Sequence, residues 1–181
     1  MSRSTLAAVL MVDGYNAIGN WPALVRIRDR SGLEAARRDL TEALIGYSAF
    51  QGMQTQVVFD AQYRASPGSC EALAQSLSVC YTNLGQTADT YIEKACARWC
   101  HSVARSQHRL IVATSDQAQR LTVVGYGAEW MSAQQLVRDV EATTLRIKRK
   151  QRSRQRPKSR FLAHSLDREV AEQLAKFRQG L

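Results

Sequence analysis

Leu10-Met11-Val12-Asp13-Gly14-Tyr15-Asn16 is the stretch on which the fold turns. It closes an apolar run, unbroken from residue 6 to residue 12, with a carboxylate, a glycine and an amide. An uninterrupted run of that length suits a parallel strand buried on both faces. Gly14 lets the backbone turn sharply, so Asp13 and Asn16 are expected to face one crevice at the strand's carboxyl end, where open α/β sheets place their sites.

The pattern recurs downstream. Thr55-Gln-Val-Val-Phe-Asp60 and Arg109-Leu-Ile-Val-Ala-Thr-Ser-Asp116 are apolar runs that also close on an aspartate. Between them, Thr87 is placed to cap a helix that carries Asp89 and Glu93 four residues apart, stacked on one face. Like charges at that spacing repel by about a few tenths of a kcal/mol on a solvated helix, so the arrangement makes most sense beside a cation. Each acid also has a purely structural reading: Asp60 as a turn cap, Glu93 as a solvated charge, Asp116 as a helix N-cap.

The elements alternate, which predicts a mainly parallel sheet with helices on both faces. Strands are expected at 6–12, 54–59, 78–81, 109–114 and 128–131. Helices are expected at 33–50 (apolar face Leu33, Ala36, Leu40, Leu44, Tyr47), at 69–76 and at 88–105 (stripe Ile92, Cys96 or Ala95, Trp99, Val103). Two more begin at Asp116 and Ser132, and residues 13–32 read as a loop. Leu166, Val170, Leu174 and Phe177 line one face of a last helix over 165–178, with Asp167 and Glu169 in its first turn, where negative charge suits the helix dipole. It is expected to dock on the chain's own core or on a partner.

The net charge of +9 is confined to one segment. Residues 146–160 hold Arg146, Lys148, Arg149, Lys150, Arg152, Arg154, Arg156, Lys158 and Arg160 and no acid, while the other sixteen basic residues balance the sixteen acids. Such a run neutralises phosphates without reading sequence, giving salt-sensitive attraction to RNA. A solvated helix extension or an anionic membrane surface is the alternative, but no apolar anchor adjoins the run and no aromatic residue interrupts it. No stretch is long enough to span a bilayer, and the start shows no signal-peptide pattern, so a cytoplasmic location is expected, or the plastid stroma in a plastid-bearing source. Cys70, Cys80, Cys96 and Cys100 lack C-x-x-C spacing and are expected to be reduced core thiols.

Taken together, Val12-Asp13-Gly14-Tyr15-Asn16, Val58-Phe59-Asp60-Ala61, Thr87-Ala88-Asp89 with Ile92-Glu93, and Thr114-Ser115-Asp116 resemble the NYN domains of the PIN-like nuclease superfamily. More closely, the chain is similar to YacP-like NYN proteins, a bacterial and plastid group of ribosome-associated endoribonucleases. The likeness extends through Gly125-Tyr126-Gly127-Ala128, Ser132-Ala133 and the stretch from Ser159-Arg160-Phe161-Leu162 onward.

This resemblance implies a three-layer α/β/α NYN nuclease domain over residues 1–147, followed by a basic segment and amphipathic helix over 148–181. It implies cleavage of RNA, mRNA on the ribosome in particular, with Mg²⁺ or Mn²⁺ as cofactor. Asp13, Asp89 and Asp116 are then metal-binding and catalytic, Asn16 orients a metal-bound water or the scissile phosphate, and Asp60 and Glu93 are second-tier acids. Asp39 stands where many relatives place another acid, but Arg37 and Arg38 beside it also allow a simple ion pair. Relatives often carry an acid after the Ser-Asp motif and an arginine after Gly-x-Gly-Ala. This chain has Gln117-Ala118-Gln119 and Glu129-Trp130 instead, which thins the charge around Asp116 and bears on RNA contacts. A non-catalytic RNA- or ribosome-binding module is the competing expectation.

Overall fold

A computed structural model describes residues 7–61 and 68–155. The helix expected over 165–178, together with Arg156, Lys158 and Arg160, lies outside the described residues, as does the Arg154 side chain. The chain divides into two compact units, residues 1–145 and 146–181.

The first unit is built on a six-stranded sheet: β1 (Ala7–Asp13), β2 (Gln54–Phe59), β3 (Ser69–Ala74), β4 (Leu77–Tyr81), β5 (His108–Ala113) and β6 (Glu129–Met131). The strand order is β3-β4-β2-β1-β5-β6, parallel throughout except for β3, which runs antiparallel to β4. β1 sits inside the sheet between β2 and β5, which is why its run is apolar without alternation.

Successive residues of β1 feed opposite layers. Leu10 and Val12 pack with α1 (Gly14–Gly19), α2 (Pro22–Ser31), α3 (Leu33–Gln51) and the start of α7 (Ala133–Gln155) through Ile18, Leu24, Leu40, Leu44 and Leu136. Met11 faces α4 (Ala88–Cys100) and α6 (Gln117–Gly125), against Ile92, Cys96 and Val123. This is the three-layer α/β/α arrangement with a mainly parallel sheet. Full burial of a side chain such as Leu40 or Ile92 stabilises it by about 1.5–3 kcal/mol relative to exposure.

The α3 stripe packs as expected, with Ala36, Leu40, Leu44 and Tyr47 buried and Leu33 packed against them. Other expectations need correction. Residues 13–32 form α1 and α2 rather than a loop: Asp13 caps the first, and Pro22 opens the second at a position where its missing N–H is not needed. Residues 69–74 form an edge strand rather than a helix. Its Glu-Ala-Leu-Ala stretch is helix-prone and exposed, and pairing with β4 overrides that propensity. The helix expected over 88–105 ends at Cys100, with a short α5 (Ala104–Gln107) after it, so Val103 is exposed. Cys70 and Cys80, opposite one another in the β3–β4 register, form a disulfide rather than two thiols.

Candidate active site

The sheet sets the site. Helical connections leave β1 on one face and return to β5 on the other, so the strand order reverses beside β1 and opens a crevice at the carboxyl ends. Asp13 is the last residue of β1, Asp60 follows β2, and Asp116 lies three residues beyond β5. Asp89 is in the first turn of α4, whose N-cap Thr87 accepts a hydrogen bond from the Thr90 amide at 3.1 Å. All four carboxylates line one cavity of about 220 Å³ together with Tyr15 and Asn16. Glu93 stands one turn further along α4 and lines the adjoining cavity with Asp89, Asp116 and Gln119.

Close packing holds the β1 tip in place. A Cβ on Gly14 would run into the Phe59 ring of β2, so the turn after Asp13 needs glycine for space rather than for the conformational freedom expected of it, since Gly14 opens α1 without a positive φ. Asp13 is buried, and its Oδ1 accepts the Asn16 amide at 3.1 Å. Asn16 in turn accepts the Ser115 amide on its own Oδ1 at 2.8 Å, tying the β1 tip to the β5 tip. Asp116 caps α6 by accepting the Gln119 amide at 2.9 Å, while the Thr114 hydroxyl oxygen accepts the Asp116 amide at 3.1 Å. Asp60 accepts the Thr82 hydroxyl at 3.3 Å.

Charge is concentrated here. Burial, and then the Asp89 and Asp60 carboxylates, raise the Asp13 carboxyl to about 6 against the opposing hydrogen bond from Asn16. Asp89 is raised by burial first and then by Asp116 and Asp60, with Gln119 opposing. Such crowding of hard oxygen donors suits a divalent cation. Among the described residues, however, no three His, Cys, Asp or Glu side chains stand close enough together to hold a metal ion. Direct ligation of one ion by three of these carboxylates would therefore require them to move toward one another, whereas binding through the ion's own waters would not.

Gln119 is the residue that a reading of strand tips passes over. It is buried and lines the cavity beside Asp89, Glu93 and Asp116, where its side-chain amide is placed to donate to Asp89 and lowers that carboxyl's proton affinity. Its place three residues after the N-cap Asp116 is capping-box spacing, the one sequence signal that marks it. Glu129, by contrast, makes a bidentate pair with Arg109, Nε to Oε1 at 2.6 Å and Nη2 to Oε2 at 2.5 Å, and is absent from the lining of both acidic cavities. Asp39 lies 4.0 Å from Arg38 Nε and does not line the acidic cavity.

In the second unit, Arg146, Lys148, Arg149, Lys150 and Arg152 are exposed on the described part of α7. No helix among the described residues is long and apolar enough to cross a membrane.

Comparison with known proteins agrees over nearly the full length. Residues 10–179 match the family described as the YacP-like NYN domain. The chain is 34% identical over 174 residues to the uncharacterized protein YacP of Bacillus subtilis (strain 168), covering 95% of this chain and 97% of that one. It is also similar to two crystal structures of Rae1 (YacP) from Bacillus subtilis. One, of a mutant form, has a TM-score of 0.67 at 33% identity, covering 83% of this chain and 84% of the other. The second has a TM-score of 0.65 at 31% identity and covers 95% of both chains.

Proposed function

The chain belongs to the YacP-like NYN domain family of the PIN-like nuclease superfamily, and on that premise we propose that it is a divalent-metal-dependent endoribonuclease that cuts mRNA on the ribosome. The observation that carries this reading is the convergence of Asp13, Asp60, Asp89 and Asp116, from separate elements, on one cavity where burial and the neighbouring carboxylates raise the proton affinity of Asp13 and Asp89. A bound Mg²⁺ or Mn²⁺ would polarise the phosphodiester and lower the pKa of an attacking water.

Asp13, Asp89 and Asp116 are assigned to holding that ion, directly or through water, with Asp60 and Glu93 as further ligands or as acceptors that orient the others. Asn16 Oδ1 accepts the Ser115 amide at 2.8 Å and Asn20 Nδ2 at 3.3 Å, which leaves its own Nδ2 hydrogens to serve the substrate. Donors are the right polarity for a phosphate oxygen. The Thr82 hydroxyl orients Asp60. The basic run from Arg146 to Arg160 would hold RNA through its backbone without selecting sequence.

A second reading, a non-catalytic RNA- or ribosome-binding module, is favoured by the spacing of the acids, which do not enclose an ion as they stand. The deciding experiment compares cleavage of labelled mRNA during active translation by wild type and by an Asp13→Asn/Asp89→Asn variant, with Mg²⁺ and Mn²⁺ each supplied. Site-specific cuts made by wild type alone are expected. Identical patterns, with both proteins still bound to RNA or ribosomes, would leave the binding module.

A further inference from the structure

Arg37 is the only buried charged residue of α3, at 9% exposure. Its guanidinium lies 5.9 Å from the ring centroids of both Tyr15 and Phe59. Its ion pair among the described residues is to Glu34, Nη1 to Oε2 at 3.3 Å, and Glu34 is a largely exposed side chain in the first turn of the helix. The Arg37 Nε is buried with no hydrogen-bond partner among the described residues.

A purely structural arginine would have its donors used, since a buried unpaired N–H is destabilising. Here, among the described residues, the guanidinium lies over two aromatic rings and meets one carboxylate, through Nη1, on a side chain largely exposed to water. That geometry matches a phosphate, which accepts two parallel N–H bonds from one guanidinium. The location fits as well. Arg37 lines an open cavity with Arg38, Thr41 and Tyr81, and the Tyr15 ring that it lies over also lines the acidic cavity with Asp13 and Asn16.

Resting on the reading of the chain as an RNA-cleaving protein, we propose that Arg37 binds an RNA phosphate flanking the scissile one, and that Glu34 occupies its guanidinium until RNA displaces it. Arg37 thereby fixes the register of the strand over the acids. The Glu34 and Glu71 carboxylates on the same cavity rim oppose loose anion binding there, so the site engages a phosphate only when the rest of the strand is held elsewhere.

The test uses a short single-stranded RNA of mixed sequence and the full chain carrying Asp13→Asn, so that binding is read without cleavage. Replacing Arg37 by Gln should weaken binding at least about tenfold and reduce the slope of log affinity against log salt by about 0.7, the value for one phosphate on a single strand. Glu34→Gln should strengthen binding when Arg37 is present and not when it is Gln. Because Arg37 is buried, its Nε–H resonance is followed in parallel in the protein that retains it, and a shift saturating with the RNA is expected.

An Nε–H signal unmoved by saturating RNA, or a folded Arg37→Gln protein with unchanged slope and affinity, would overturn the proposal while leaving the nuclease reading intact. Arg37-dependent binding by a wild type that cuts nothing would do the reverse. A wild type that binds no RNA in any context would refute both.

Discussion

Asp13→Asn should make the metal-free protein more stable. The Asp13 carboxyl is raised from 3.8 to about 6, chiefly by burial. Its folded-state value therefore lies above its unfolded one, so the stability linked to its proton is fully present below the unfolded value and is lost as pH rises through about 6. A shift of about two units corresponds to roughly 3 kcal/mol at about 1.4 kcal/mol per unit. Asparagine removes the charge but keeps an oxygen for the Asn16 amide that Asp13 caps. In chelator at about pH 8, the variant should thus exceed wild type by up to about 3 kcal/mol, or roughly 6–12 °C in a domain of this size. The gap should close toward pH 4 and should narrow when Mg²⁺ is added, because an ion that binds only the folded wild type stabilises it by mass action. Urea melts across that pH range, with and without Mg²⁺, measure all three effects. A wild type equally stable at both ends of the range, or a variant less stable than wild type in chelator, would refute the reasoning that burial and neighbouring carboxylates oppose this charge.

Three other outcomes are expected. Gln119→Glu would add a carboxylate beside Asp89 and Asp116, tightening Mn²⁺ binding in a calorimetric titration while lowering metal-free stability at neutral pH; weaker Mn²⁺ binding would count against a metal at this cavity. Replacing Arg149, Lys150 and Arg152 by Gln should lower the salt slope of RNA binding by about 0.7 for each phosphate no longer neutralised, with the melting curve unchanged because these side chains are exposed. In mass spectrometry after alkylation without reductant, Cys100 should be labelled. Cys96, buried and with its thiol pushed up to about 11, should be protected, and Cys70 and Cys80 should stay linked. Reducing that ten-residue link should destabilise the chain by about 2–3 kcal/mol if loop entropy dominates.

The central strands β1 and β5, which lead to Asp13 and Asp116, are legible because each is buried on both faces over its second half and reads there as an unbroken apolar run. The β1 run from Val9 to Val12 and the β5 run from Leu110 to Ala113 have no competing pattern. The same logic fails at the edge. β3 has no buried face, so its hydrophobic order is uninformative, and only its partner β4 makes it a strand. The pairing of Cys70 with Cys80 is hidden for the same reason, because it depends on a register that no local pattern sets. Trp21-Pro22 reads equally well as a loop or as a helix start, and packing of Leu24 against the core decides between them. At the site, the acids announce themselves at strand tips, whereas Gln119 and Arg37 do not. Each lies inside a helix, where only the three-dimensional neighbours show that its polar atoms face a cavity.

Those neighbours also bear on why the acids are acids. Asp13 and Asp116 each perform a structural task, accepting a backbone amide at the start of α1 and of α6. That task needs one side-chain oxygen and no charge, and Ser, Thr or Asn supplies it nearly as well, as Thr87 does for α4. Capping therefore explains the positions but not the carboxylates. At Asp13 the charge works against the fold, since burial and two nearby carboxylates make the ionised form costlier in the folded chain than in the unfolded one. Arg109 and Glu129 provide the contrast within the same sheet: a carboxylate whose purpose is structural has its arginine beside it, and its proton affinity falls. Asp13 and Asp89 shift the opposite way, and no arginine or lysine among the described residues contributes to either shift. On the proposed reading, the counter-charge for these acids comes from solution: a divalent ion would supply it and would bring a phosphodiester to these side chains.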